Sequence, residues 1–169
     1  NPKYGAGRAD FFRYLLMYKE GGVYLDIKSA TKIPLNNIIL SEDEYILSYW
    51  DTPEQFYYLN NTMGEFQQWH IICRPNHPYL EAVIKNVMKN IDNYDEDEIG
   101  VGKLAVLHVT GPIAYTKAIL PILNNYNHRI IELNEYSELV YNNLSKSHKK
   151  LFSKTHYSEI DEPVILKNI

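Results

Sequence analysis

Apolar residues along this chain recur with two periods, and the switches between them mark out the elements. Over residues 8–20, Ala9, Phe12, Leu15 and Leu16 form an apolar stripe at helical spacing, and Gly21-Gly22 supplies the stop. Residues 23–27 then read as a buried strand carrying an acid, Asp26, near its end. Further strands are expected at 45–49 and 69–73, the second closed by Arg74-Pro75-Asn76. Pro78 opens a helix in which Leu80, Val83, Ile84, Val87, Met88 and Ile91 follow three-to-four spacing. The acidic stretch 92–98 reads as a solvated loop, and 104–109 as a strand or buried segment. Thr110-Gly111-Pro112 turns into a helix over 113–123, and short strands are expected at 129–133 and 139–141. The last thirty residues, rich in Ser, Lys and His, are weakly patterned and expected to wrap the surface. Alternating strands and helices imply an α/β domain with a mostly parallel sheet and flanking helices.

With 169 residues, no internal repeat and 45% hydrophobic content, one domain over 1–169 is expected. Seventeen basic against twenty-one acidic side chains give a formal charge of −4, no footprint for nucleic acid or anionic lipid. The apolar stretches read as too short to span a bilayer, and no signal-peptide pattern opens the chain, so a soluble, cytoplasmic domain is expected over one in a secretory lumen. The one cysteine, Cys73, lies in an apolar run and reads as a buried structural thiol. Gly100-Val101-Gly102-Lys103 lacks the earlier Gly and the Ser or Thr of a P-loop, and the six dispersed histidines give no zinc spacing. His70, His77 and His108 read as core or turn residues, and Asn60-Asn61-Thr62 and Asn143-Leu144-Ser145 as glycosylation sequons with meaning only in a secretory lumen.

A helix packed antiparallel on the strand that follows it brings its own start to the strand's C-terminal edge. The helix is ~20 Å long at ~1.5 Å per residue and the strand ~17 Å at ~3.3 Å, so Asp10 and Arg13 fall on the same edge as Asp26. Ligands bind at that edge of an open α/β sheet. Two carboxylates can accept hydrogen bonds from sugar hydroxyls, and a guanidinium can pair a phosphate. The competing reading is an Asp10–Arg13 ion pair on a wet helix surface.

The run Ala9-Asp10-x-x-Arg13-Tyr14-x-Leu16-x-x-x-x-Gly21-Gly22-Val23-Tyr24-Leu25-Asp26 resembles the signature of the DXD-containing sugar transferases of glycosyltransferase family 32, with weaker likeness at 69–78 and at Thr110-Gly111-Pro112. The resemblance implies a GT-A-like, Rossmann-like fold that transfers a hexose from a UDP- or GDP-sugar to a glycan or other hydroxyl acceptor. It also implies a strand and helix ahead of residue 9, so the N-terminal nucleotide-binding part is expected to be missing or reduced. Carried over by position, Asp10, Arg13, Tyr24 and Asp26 would bind the donor, and Gly111 would border its pocket. Asp26 would be the first acid of the DXD motif, but Lys28 stands in the place of the second.

That second acid normally holds Mn²⁺ or Mg²⁺ on the donor diphosphate. Three readings of Lys28 stay open: its ammonium replaces the cation, with Asp26 and Lys28 the catalytic pair; it points outward while Asp26 and His156 hold the metal; or the chain is a non-catalytic nucleotide-sugar or glycan-binding module. If transfer inverts the anomeric centre, Asp51 or Glu65 is the candidate base.

Overall fold

The computed structural model describes residues 1–50, 59, 64–133, 138–141 and 159–166. Helix α1 (Gly5–Glu20) runs into strand β1 (Gly22–Leu25), followed by β2 (Ala30–Thr31), a 3₁₀ turn at Leu35–Asn37 and β3 (Tyr45–Leu47). After β4 (His70–Cys73) come α2 (Pro78–Asp92), α3 (Glu96–Ile99), α4 (Gly102–Val109), α5 (Pro112–Ile119) continued by a 3₁₀ turn at Leu120–Asn125, and β5 (Arg129–Ile130) and β6 (Leu139–Val140).

The expected mostly parallel sheet is corrected. The four-stranded sheet has the order β1-β4-β3-β5, with β4 antiparallel to both neighbours and only β3 and β5 parallel. The antiparallel pairing of β3 and β4 is continued by a bridge between Tyr49 and Phe66, and antiparallel neighbours need no crossover helix. β2 and β6 pair separately, antiparallel.

Alternation along the strands sends side chains to two faces. Leu47, Ile71 and Cys73 join Tyr14 and Met17 of α1, Leu80, Val83 and Val87 of α2, and Ala114, Tyr115 and Ile119 of α5. On the other face Ile46 and Ile72 pack with Ile38, Trp69 and Leu139. Cys73 is buried as expected, which pushes its thiol up to about 12. His70 is likewise a core residue, its Nε2 2.6 Å from Ser48 Oγ, and His77 caps α2 by accepting from the Tyr79 amide.

Two sequence-based assignments change type. The acidic stretch contains the single helical turn α3, capped by the Asp95 side chain, and 104–109 is helical. Residues 102–125 are also long and apolar enough to cross a membrane by length and composition alone, where the apolar stretches read as too short. Here that run is folded as α4, a turn at Thr110-Gly111 and α5, with Ala105, Val106, Val109, Ile113 and Ala114 buried in the domain.

The apolar stripe expected to bury α1 is outside: Phe12, Leu15 and Leu16 are 63%, 43% and 40% exposed. The buried side is Asp10, Arg13, Tyr14 and Met17, at the same three-to-four spacing. A face with two charges and a phenol can be buried only if its polar groups find partners. They do so in other elements: Tyr14 Oη donates to the Gln68 side chain at 2.6 Å and is 2.9 Å from the Thr110 carbonyl.

Candidate functional site

The end of β1 is set by its neighbour and by a turn. The Asp26 amide donates to the Trp69 carbonyl at 2.8 Å, continuing the β1–β4 ladder by one bond, and Ser29 N–H closes back on the Asp26 carbonyl at 2.8 Å. The chain reverses over residues 26–29, with Asp26 at the first and Lys28 at the third position of a β-turn. At the other end, Gly21 adopts φ +64°, and a Cβ there would lie 2.6 Å from Pro75, so glycine lets α1 turn tightly into β1 against the loop after β4.

This connection superposes the start of α1 and the end of β1, as the helix and strand lengths predict. Arg13 Nη2 lies 3.1 Å from Asp10 Oδ1, and Nη1 lies 3.1 Å from Asp26 Oδ1. The guanidinium also donates to the Gln68 carbonyl at 3.1 Å and stacks on the Tyr24 ring at 4.8 Å. Tyr24 Oη donates to Asp26 Oδ1 at 3.0 Å. With side-chain exposures of 6% for Asp10 and 8% for Arg13, the wet-surface ion pair is excluded. Arg13 is a buried cation bridging two carboxylates, its fork already occupied.

Asp10 is held from three sides. Gln68 Nε2 donates to Oδ1 at 3.1 Å and the Thr110 hydroxyl to Oδ2 at 3.0 Å. Burial nonetheless raises its carboxyl to about 6, with Arg13 the strongest opposing influence. Burial works against the Arg13 cation, but Asp10 and Asp26 overcome it and raise its pKa further. Tyr24 is pushed up to about 12 by burial, so it acts as a hydrogen-bond donor. Asp26 is the accessible member: its side chain is 23% exposed and the contacts above fall on Oδ1.

Gln68, Tyr14 and Thr110 complete this network; Tyr14 stands in the family signature and Thr110 in the turn that the resemblance places at the pocket, while Gln68 was given no role from the sequence. The one signal for Gln68 was its position before Trp69. Gly111 is explained by packing, since a Cβ would lie 2.8 Å from the Leu107 backbone at the α4–α5 turn. Glu65 is 2% exposed, with its carboxyl raised to about 7 by burial against the pull of Lys103.

Lys28 turns from Arg13 toward an aromatic group. Its Nζ sits 4.3 Å from the Tyr141 ring centroid, and Tyr141 packs on Trp69 at 5.2 Å and Trp50 at 5.4 Å. A DXD region is associated with a divalent cation, but the residues at this turn do not fit one. Asp26 Oδ1 is engaged by a guanidinium and a phenol, an ammonium replaces the second acid, and among the described residues no three His, Cys, Asp or Glu side chains gather as a metal set. His156 and Asp51 lie outside the described residues, as do both sequons.

Residues 2–45 match the family described as glycosyltransferase sugar-binding region containing DXD motif. The initiation-specific alpha-1,6-mannosyltransferase of Schizosaccharomyces pombe is 31% identical over 127 residues, covering 69% of this chain and 32% of that protein. Its namesake in Candida albicans is 27% identical over 137 residues, covering 70% and 35%. Inositol phosphoceramide mannosyltransferase 2 of Schizosaccharomyces pombe is 27% identical over 107 residues, covering 63% and 26%. The chain thus spans about a quarter to a third of the length of these curated relatives. Among solved structures, the PaToxG glycosyltransferase overlaps in part, with a TM-score of 0.48 at 18% identity over 71% of this chain and 36% of that one. The matched region contains the network of Asp10, Arg13, Tyr24 and Asp26, and the chain is a glycosyltransferase family 32-like protein whose DXD segment reads Asp26-Ile27-Lys28.

Proposed function

We propose that this chain forms the donor-binding and catalytic region of a hexosyltransferase that moves a sugar from a nucleoside-diphosphate donor to a hydroxyl of a glycan acceptor. The observation that carries the reading is the buried Asp10–Arg13–Asp26 bridge at the end of β1, which holds one carboxylate facing outward. Orienting Asp26 beforehand is worth having for a polyol ligand, since each sugar hydroxyl it accepts then costs little reorganisation. Tyr24 and Arg13 lock the carboxylate, and Gln68 and Thr110 lock Arg13's other partner. The charged members of the bridge are thereby fixed from α1, β1, the 64–69 segment and the α4–α5 turn.

The names of the relatives make mannose the first sugar to test. UDP- and GDP-sugars, including the mannose donor, are incubated without acceptor, and free sugar is measured for the native chain and for Asp26→Asn. The expected result is slow hydrolysis of one donor class, reduced at least about 100-fold in the variant. A second reading, a non-catalytic donor- or glycan-binding module, is favoured by Lys28 in the motif. Saturable donor binding without hydrolysis would select it.

A further inference from the structure

Building on the transferase reading, we infer that Lys28 is the diphosphate-binding cation of this site, so that donor binding proceeds without a divalent metal. Asp10 and Asp26 bring two carboxylates to the end of β1 and Arg13 one positive charge, and Arg13 is already committed to both acids, to the Ala9 and Gln68 carbonyls and to the Tyr24 ring. A diphosphate arriving beside Asp26 adds further negative charge and needs a cation that the bridge cannot spare. The usual source is a metal held by two acids, and that donor set is broken here.

Lys28 is placed to supply the charge. The turn closed by Ser29 N–H on the Asp26 carbonyl keeps its backbone two residues from Asp26, and its flexible four-carbon stem lets the ammonium swing from where it rests. Its Nζ is parked over Tyr141, whose ring packs on Trp69, the residue whose carbonyl holds the Asp26 amide. Trp69 therefore touches both ends of the turn, its carbonyl holding the Asp26 amide and its ring carrying the Tyr141 ring on which Lys28 rests. A cation on a ring face is held weakly and keeps its N–H donors for a stronger acceptor, so it can exchange the ring for a phosphate oxygen.

During transfer the bond from the anomeric carbon to the diphosphate oxygen breaks with its electron pair going to that oxygen, and a bond forms from the acceptor oxygen to the same carbon. The acceptor proton passes to water or to the released diphosphate. Lys28 neutralises the charge that develops on the leaving oxygen and undergoes no net proton transfer.

The test is binding of UDP and GDP by titration calorimetry, in excess EDTA and again with saturating MnCl₂, to the native chain, Lys28→Ala, Lys28→Arg and Lys28→Asp. The expected pattern is native binding that changes less than about twofold between the two conditions, a loss of about tenfold or more in Lys28→Ala, retention in Lys28→Arg, and affinity in Lys28→Asp that depends on Mn²⁺. Native binding seen only with Mn²⁺, or binding by Lys28→Ala equal to native, overturns the inference while leaving the transferase reading intact. Absence of binding by the native chain under both conditions overturns both. Lys28→Arg keeps the charge, so its behaviour separates loss of the cation from loss of folding.

Discussion

Replacing Arg13 by Met keeps the length and apolar stem of the side chain and removes the charge that joins Asp10 to Asp26. Each Arg13–carboxylate contact is 3.1 Å between nitrogen and oxygen. With charge centres ~4 Å apart and an effective dielectric of ~20, each attraction is about 4 kcal/mol, most of it offset by the cost of desolvating the three groups. Deleting Arg13 removes the attraction and leaves the desolvation. For Asp10, 6% exposed, that loss is nearly complete, whereas Asp26, 23% exposed, recovers part of it from water. The expected cost is about 3–5 kcal/mol, a large fraction of a typical domain's stability. Asp10 can limit it by taking a proton: burial already holds its carboxyl at about 6, and without Arg13 the strongest lowering influence is gone. Arg13→Met should therefore be less destabilised near pH 5 than near pH 8, and Asp10→Asn in the same background should restore part of the loss at pH 8. Urea unfolding of the native chain, both single variants and the double variant, followed by fluorescence of Trp50 and Trp69, gives the coupling directly. A loss below about 1 kcal/mol, or one equal at both pH values, would refute the idea of a buried bridge.

Gly21→Ala should cost more than about 2 kcal/mol, because it joins φ +64° to a Cβ 2.6 Å from Pro75; Gly22→Ala, at φ +92° with nothing within 4 Å of its Cβ, should cost only about 1. Thermal melts of the two variants side by side test this, and equal losses would contradict the steric argument. Glu65 has a folded pKa of about 7 against an ordinary value of 4.5, so its stabilising contribution is complete below about pH 4.5 and lost as pH rises through about 7. The native melting temperature should fall between about pH 5 and pH 8, and Glu65→Gln should flatten that fall without abolishing it, since Asp10 at about 6 acts in the same direction. An unchanged slope in Glu65→Gln would place the titration elsewhere.

Local sequence determined the elements wherever apolar spacing and punctuation agreed. The helix begun by Pro78 and the strands at Tyr45 and His70 lie where periodicity puts them, and Gly21-Gly22 ends α1 because few other residues adopt the positive φ found there. Helix and strand lengths alone also brought Asp10, Arg13 and Asp26 to one edge, since rise per residue is a property of the backbone. Residues 104–109, read as a strand or buried segment, do bury Ala105, Val106 and Val109, but as a helix that an apolar run of six, with no period of its own, could not announce. What only the tertiary structure decided is which polar groups are satisfied. The α1 face that turned inward was the one whose Asp, Arg and Tyr find Gln68, Thr110 and Asp26, partners 13 to 100 residues away in the chain, while Phe12, Leu15 and Leu16 were left outside. Sheet direction and the resting place of Lys28 on Tyr141 were hidden for the same reason: strand pairing and ring contacts join segments far apart in sequence, and hydropathy along one segment says nothing of its partner.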